Sequence, residues 1–171
     1  ISRSYREIFR KADHQIIMVS RYFLPGKEFR RNIRKVLHRG VTIKLILAGA
    51  SDVWIAKQAE RHLYRWLLRN NIAIYEYQPS ILHAKMAICD AKWLTLGSYN
   101  INNISAFASI ELNLDVNNEP FTRAVKDELE AIIEKDCVRI TDYNLNLTNN
   151  FLRRLWNSIC YESIRILFYL F

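Results

Sequence analysis

The sequence predicts an α/β fold, in which a mixed, largely parallel central sheet carries helices on both faces. The main evidence is that helical and strand-like segments alternate three times within the first 80 residues, which is typical of strands joined by crossover helices. The composition agrees, because half of the 171 residues are hydrophobic and a quarter are charged, as in an ordinary globular domain. Four glycines and three prolines argue against a disordered or linker-rich protein.

The first 80 residues supply three helices and three strands. Helices are expected where apolar residues recur at helical spacing, and strands where β-branched residues run together. The predicted helices cover 2–12, 27–39 and 53–70, and the predicted strands cover 15–20, 41–47 and 72–77. Gly40 is expected to end the second helix, and Asp52 to be the N-cap of the third. Tyr22 and Phe23 are candidates to line a site at the carboxyl end of the first strand, although core packing explains Phe23 at least as well.

The second half of the chain supplies three further strands and two helices. Residues 81–90 and 93–96 are expected to form a hairpin, and 110–116 a third strand with its apolar residues on one face: Ile110, Leu112, Leu114 and Val116. Residues 119–136 predict an amphipathic helix, 137–150 a connector, and 149–171 a C-terminal amphipathic helix. We therefore expect a catalytic domain over 1–148, followed by the helix 149–171.

Polar residues interrupt the apolar strand pattern between 81 and 116, at His83, Lys85, Ser98 and Asn100. Because strand side chains alternate between faces, His83 and Lys85 share a face about 7 Å apart. Ser98 and Asn100 are likewise two residues apart and follow the return strand. The pattern therefore brings two polar pairs to the hairpin.

These residue types suit the cleavage of a phosphodiester through a covalent histidine. A neutral imidazole such as His83 is a competent nucleophile near pH 7, and the carboxylate of Glu111 is the candidate to orient it. The Lys85 ammonium and the Asn100 amide are donors for non-bridging phosphate oxygens. Ser98 either contacts the phosphate or bonds its own turn, and both interpretations stay open. Nothing in this set demands a metal or a cofactor.

The spacing of these residues resembles the HKD motif of the phospholipase D superfamily. The matching positions are His83-x-Lys85, four residues, Asp90, six residues and Gly97-Ser98-x-Asn100. Asp90 has the opposite strand parity to His83, so we expect it and Gly97 to have structural roles. The segments 22–25, 38–52 and 72–85 are similar to the second half of bacterial cardiolipin synthases.

The resemblance implies a phospholipase D-like half that transfers a phosphatidyl group from a phospholipid to an alcohol through a phosphohistidine. Phosphatidylglycerol is the expected donor. Two alternatives are kept: a phospholipase D-type hydrolase or nuclease with the same motif, and a non-catalytic module that binds a membrane or a protein. The family uses two motifs, and this chain holds one. We therefore expect a second HKD half, either in the same chain or in a dimer partner, the more so because the sequence begins with Ile1.

The net charge of +8 is unevenly distributed along the chain. Residues 1–80 carry 16 Lys and Arg against 6 Asp and Glu, whereas 81–171 carry 9 against 11. The basic half suits phospholipid headgroups and, less favoured here, nucleic acid, or it is simply a solvated face. The helix 149–171 is aromatic-rich with arginines, which fits a membrane surface; packing against a missing half is the alternative. The resemblance implies a peripheral protein on the cytoplasmic side of a bacterial inner membrane.

Two groups of residues remain. The odd number of cysteines, at Cys89, Cys137 and Cys160, indicates free thiols rather than disulfides or a zinc site. The loop 101–109 is a candidate border of the site, through Asn102, Asn103 and Ser105, although such residues also form turns. In the family an arginine often precedes the serine of this loop, and here Ile104 takes that place.

Overall fold

The architecture is a seven-stranded sheet covered by helices, as given by a computed structural model that describes residues 3–102, 105, 110–148 and 150–167. In this part of the chain the strand order is β6-β5-β4-β1-β2-β3-β7. The strands are β1 Gln15–Ser20, β2 Thr42–Ala48, β3 Ala73–Tyr77, β4 Met86–Cys89, β5 Trp93–Gly97, β6 Asn113–Val116 and β7 Cys137–Ile140. The helices are α1 Arg3–Lys11, α2 Lys27–His38, α3 Trp54–Arg69, α4 Glu119–Asp136, α5 Asp142–Thr148 and α6 Phe151–Leu167.

The mixed sheet with helices on both faces is confirmed, but fewer strand pairs are parallel than predicted. β1 pairs with β2, and β2 with β3, in parallel. The pairs β1–β4, β3–β7, β4–β5 and β5–β6 are antiparallel. The connection between β4 and β5 is too short for a crossover, which needs a dozen residues or more, so that pair can only be antiparallel.

The core has one layer on each face of the sheet. On one face, α1, α2 and α3 cover residues such as Ile16, Met18, Ile43 and Leu45. On the other face, α4 places Leu129 and Ile133 against Ile17, Ile46 and Ile88. Both faces of β1 and β2 are therefore buried, which explains why their sequences are continuously apolar rather than alternating.

The C-terminal helix α6 lies on α3 rather than on the sheet. Its buried residues are Asn157 and Cys160, and Cys160 packs with Leu24, Ala59 and Leu63. The apolar residues that recur at helical spacing along α6 are exposed: Leu152, Leu155, Trp156, Ile159, Ile166 and Leu167. Leu170 lies outside the described residues. Periodicity located the helix correctly, but it could not show that the helix contacts α3 through a narrow face that contains Asn157 and Cys160.

Two predictions about the second half of the chain were wrong. Residues 137–150, expected as a connector, contain β7 and α5, because this short strand pairs with the edge of β3 and leaves Val138 exposed, so no alternation marks it. The predicted strand 110–116 is shorter, because it begins at Asn113. Three of the apolar residues expected on one of its faces, Ile110, Leu112 and Leu114, are 105%, 81% and 62% exposed. β6 ends the sheet, and none of the described helices covers these side chains.

The turn between β4 and β5 has an unusual backbone. Asp90 and Ala91 both have positive φ, at 51° and 55°, and Lys92 N–H donates to the carbonyl of Cys89 over 3.0 Å. Positive φ at both central residues is the mark of a type I′ turn, whose twist suits a two-residue hairpin. This turn places β5 beside β4 and fixes where the return strand ends.

Two further observations concern the chain as a whole. Cys89, Cys137 and Cys160 are all free thiols. Within the described ranges, we find no helix whose length and hydropathy would let it cross a bilayer.

Candidate active site

The motif residues meet at one edge of the sheet because of the strand directions. Met86 pairs with Val19, so the chain just before β4 lies beside the carboxyl end of β1. Gly97, at the end of β5, donates its N–H to the carbonyl of Lys85 over 3.0 Å and pairs with Asn113 at the start of β6. Residues that precede β4, follow β5 and precede β6 therefore share this edge, where open α/β sheets bind ligands.

His83 and Lys85 lie in the extended segment that leads into β4, not within the strand as predicted. The His83 side chain is exposed, whereas Lys85 is buried and its Nζ donates to the carbonyl of His83 over 2.8 Å. The Lys85 charge is the main cause of a lowered His83 pKa, with partial burial second. A lowered pKa keeps the imidazole neutral at pH 7, as a nucleophile requires.

Ser98 and Glu111 interact with each other at the entry to β6. The Ser98 hydroxyl donates to the Glu111 carboxylate and accepts the N–H of Leu112 over 3.1 Å. Glu111 also opposes the lowering of the Lys85 pKa, which burial and then Arg21 cause. Among the described residues, Glu111 makes no hydrogen bond to His83, so an orienting role for Glu111 stays a prediction.

Asn100 has a buried amide oxygen without a hydrogen-bond partner. Its backbone N–H donates to Ser105 Oγ over 3.3 Å, and Ser105 N–H donates to the side chain of Asn102 over 2.8 Å. The side chains of Asn102 and Ser105 therefore accept backbone N–H groups of their own loop, as turn residues do. Asn103 and Ile104 lie outside the described residues. A buried amide oxygen without a partner is unusual in a folded protein.

Asp90 lies at the opposite end of β4 and holds the start of β1. Its carboxylate accepts backbone N–H groups from Asp13, His14 and Gln15 over 2.8–2.9 Å. Burial raises the pKa of Asp90, but these three bonds outweigh it and lower the pKa overall. A cleft of about 540 Å³ borders Asp90 and Trp93, at the edge remote from His83. These contacts are structural in character.

A second charged group lies at the site, formed by Arg21, Tyr22 and Asp52. The sequence analysis named Tyr22 as a candidate to line the site, but it missed Arg21 and gave Asp52 another role. Arg21 forms an ion pair with Asp52, the Tyr22 hydroxyl donates to Asp52 Oδ1 over 2.6 Å, and the guanidinium lies 5.0 Å from the centre of the Tyr22 ring. The bonds from Arg21 and Tyr22 lower the pKa of Asp52 to about 2. Asp52 is therefore not the predicted N-cap: α3 is capped at Val53, without a side-chain bond.

The sheet topology is the signal that could have placed Arg21 and Asp52 at the site. Arg21 and Asp52 follow β1 and β2, which are neighbouring parallel strands, so their carboxyl ends share the edge that carries His83. The charges of both residues act on the pKa of His83, Arg21 lowering it and Asp52 raising it. The site is therefore wider than the motif.

A buried network supports the loop that carries Arg21 and Tyr22. Glu60 accepts the N–H of Phe23 over 3.0 Å and the ammonium of Lys57 over 2.8 Å. Lys57 also pairs with Glu76 over 2.8 Å, and the Tyr64 hydroxyl donates to Glu76 over 2.8 Å. All of these charged groups are at most 7% exposed. In the described part of the chain, no group of three or more His, Cys, Asp and Glu side chains is arranged to hold a metal.

Comparison with known proteins gives one family. Residues 5–133 match the model of the family described as "Cardiolipin synthase, PLD-like domain". The chain is 34% identical over 158 residues to cardiolipin synthase B of Salmonella typhi, an alignment that covers 89% of this chain and 38% of that protein. The chain therefore spans well under half the length of this relative.

Solved structures share the fold at low identity. Nuc, a phospholipase D family member from Salmonella typhimurium, has a TM-score of 0.69 at 15% identity, over 81% of this chain and 90% of that one. Phosphatidylserine synthase of Haemophilus influenzae has a TM-score of 0.74 at 14% identity, over 94% of this chain and 41% of that one. The overall fold is thus a recurrent one.

Proposed function

The chain belongs to the cardiolipin synthase, phospholipase D-like domain family, and on that premise we propose that it transfers a phosphatidyl group from a phospholipid to an alcohol through a phosphohistidine at His83. Phosphatidylglycerol is the proposed donor. The observation that carries the proposal is the exposed imidazole of His83, whose pKa is lowered chiefly by the adjacent Lys85 ammonium. The relative at 34% identity is a cardiolipin synthase, which supports the choice of substrate.

The reaction has two balanced steps. In the first, a neutral ring nitrogen of His83 gives its electron pair to phosphorus, the P–O bond to the headgroup breaks, and a general acid protonates the departing oxygen. In the second, the acceptor alcohol gives its proton to that group, its oxygen attacks phosphorus, and the P–N bond breaks. Lys85 and Asn100 are the proposed donors to the phosphate oxygens, where charge develops.

A second HKD half is the proposed source of the general acid. Beside the site, Ile110, Leu112 and Leu114 form an exposed apolar strip along the edge strand β6 and the segment that leads into it. Soluble monomers seldom expose such a contiguous strip, and an edge strand invites pairing. We propose that the second half, in the same chain or in a second copy, covers this strip and places its own histidine opposite His83.

This proposal is tested by light scattering and by the conversion of labelled phosphatidylglycerol. We expect transfer only from dimers, or from a longer chain that contains both halves. An active monomer of these 171 residues would refute the shared site. Formation of neither cardiolipin nor free headgroup by any assembled form would refute the lipid substrate.

A membrane surface is the proposed partner of α6. Val53, Trp54 and Ile55 at the start of α3 continue the exposed residues of α6 into one apolar ridge, in which the rings of Trp54 and Trp156 are 5.9 Å apart. Trp54 follows Asp52 closely, so the ridge adjoins the site. An aromatic face beside a lipid-processing site suits insertion at a bilayer interface, and we propose a peripheral location on the cytoplasmic side of the bacterial inner membrane.

Sedimentation with phosphatidylglycerol vesicles tests this contact. Replacing Trp54 and Trp156 with serine is expected to weaken binding by at least tenfold, because two exposed aromatic side chains leave the interface. Replacing Tyr143, which is 76% exposed on α5, is the matched control and should change binding little. Equal losses in both variants would contradict the assignment.

The second candidate is a nuclease with the same chemistry. The net charge of +10 over residues 1–80 favours it, because a basic surface attracts the phosphate backbone. Cleavage of single-stranded DNA, lost on replacing His83, in a protein that does not convert phosphatidylglycerol would establish this alternative.

A further inference from the structure

Arg21 is a cation at the site that the motif does not include. It lies just beyond the carboxyl end of β1, and its charge lowers the pKa of both His83 and Lys85. Placing cations together costs free energy unless an anion joins them. Asp52 already pairs with Arg21, and Glu111 already accepts a hydrogen bond from Ser98. The site therefore favours the binding of a further negative charge.

The contacts of Arg21 orient it but leave much of its hydrogen-bonding capacity unused. The bond to Asp52 uses one terminal nitrogen, and the Nε atom is buried without a partner. The Tyr22 ring stacks on the guanidinium, and the Tyr22 hydroxyl fixes the other oxygen of Asp52. A guanidinium carries five donors in one plane and recognises phosphate through two of them. Arg21 is thus held in place with donors to spare.

Resting on the proposed function, we infer that Arg21, oriented by Asp52 and Tyr22, binds the phosphate of an anionic acceptor, such as the phosphoglycerol headgroup of a second phospholipid. Lys85 and Asn100 already serve the donor phosphate in the proposed reaction. Transfer onto a phospholipid brings a second phosphate into the site, whereas transfer onto glycerol or water does not. Arg21 therefore sets acceptor preference, and it is a binding residue rather than a nucleophile or an acid.

The test measures acceptor preference in the active assembled form of the protein. Radiolabelled donor is supplied with short-chain phosphatidylglycerol or with glycerol as acceptor, and the ratio of the two transfer rates is determined. Loss of charge-assisted bonds to phosphate is expected to lower this ratio roughly 10- to 100-fold in Arg21→Ala. Arg21→Lys should recover part of the loss, because it keeps the charge without the planar fork.

Arg123→Ala is the matched control, because Arg123 also forms an exposed ion pair, with Glu119 on α4, and its ratio should match the wild type. An unchanged ratio in Arg21→Ala, or an equal fall with both acceptors, would overturn the inference and place Arg21 with the donor phosphate or with folding.

A binding measurement separates this inference from the reaction itself. Glycerol 1-phosphate is titrated into the isotope-labelled protein while the Nε–H signal of Arg21 is followed by NMR, with glycerol as the uncharged probe. A shift with glycerol 1-phosphate alone supports the subsite, even if the protein proves to transfer no phosphatidyl group. No shift with either probe overturns the subsite, whatever the enzyme assay shows.

Discussion

The two ends of β4 contrast in how their polar groups are satisfied. At the entry, His83 is exposed and the neighbouring Asn100 amide oxygen is buried without a partner. At the exit, the Asp90 carboxylate accepts three backbone N–H groups. At one end of this four-residue strand a buried polar group lacks a hydrogen-bond partner, and at the other end the polar group has three. One sequence motif thus contains residues with a proposed role in the chemistry, His83 and Asn100, and a residue whose contacts stabilise the fold, Asp90.

The largest expected effect is on activity at the entry. Replacing His83 with alanine should lower phosphatidyl transfer by about 10⁴-fold or more, because the proposed nucleophile is removed. The free energy of unfolding should change by less than about 0.5 kcal/mol, because the side chain is exposed. The transfer assay and urea denaturation measure the two quantities. Retained activity would instead favour the non-catalytic module.

A large effect on stability is expected from the buried network of Lys57, Glu60 and Glu76. This network lies near the entry to β4, but its charged groups have hydrogen-bond partners, as Asp90 has at the exit. Replacing Lys57 with methionine leaves the buried Glu60 without its cation, and Glu76 with only the longer contact to Arg61, over 3.8 Å. Breaking a buried pair in this way typically costs about 3–5 kcal/mol. Urea denaturation measures the loss, with Lys135→Met, at an exposed position on α4, as control. A loss below about 1 kcal/mol would show that solvent reaches these carboxylates.

A smaller loss of stability is expected at the exit. An asparagine at position 90 has one acceptor oxygen in place of two and no charge, so Asp90→Asn should cost about 2–3 kcal/mol at pH 7. Because the folded-state pKa of Asp90 is lowered, its contribution is present above its unfolded pKa and is lost as the pH falls through the folded value.

The difference between wild type and Asp90→Asn should therefore shrink toward pH 3 in urea denaturation. The exposed Glu128→Gln is the control and should show no comparable difference. Loss of transfer in properly folded Asp90→Asn would break the contrast between the two ends, since it would give Asp90 a part in the chemistry.

The smallest of these effects concerns the ionisation of His83. The Lys85 ammonium is the first cause of its lowered pKa, so Lys85→Met should raise that pKa toward its ordinary value. The neutral fraction at pH 7 then falls. NMR titration of the ring protons measures this directly, and Lys92→Met, at the far end of the hairpin, should leave the titration unchanged. The same titration in both variants would mean that burial alone sets the pKa.

Much of the fold was predictable because its elements have strong local patterns. Strands such as 15–20 and helices such as 119–136 were located within a residue, since burial on two faces or on one stripe leaves a clear signal. The short strand β7 had no such signal, because a four-residue edge strand with exposed side chains requires no alternation. The buried face of α6 depends on what lies opposite it, and that information is tertiary.

The site was predictable to the extent that it follows the chain. His83, Lys85 and Asn100 share a motif. Their residue types indicated phosphodiester chemistry, and their spacing carried the resemblance to the phospholipase D superfamily. Arg21 and Asp52 come from two other loops, and only the parallel pairing of β1 with β2 places them there. The prediction for Asp52 failed because a carboxylate before a helix usually caps it, whereas here an arginine and a tyrosine compete for the same oxygens.

The hairpin turn has one further consequence. Ala91 adopts a left-handed backbone conformation, which disfavours every residue with a side chain and suits glycine. Ala91→Gly should therefore raise the melting temperature by a few degrees, for a gain of about 0.5–1 kcal/mol. Because this turn lies at the edge remote from the imidazole, the substitution should increase stability without changing the catalytic rate.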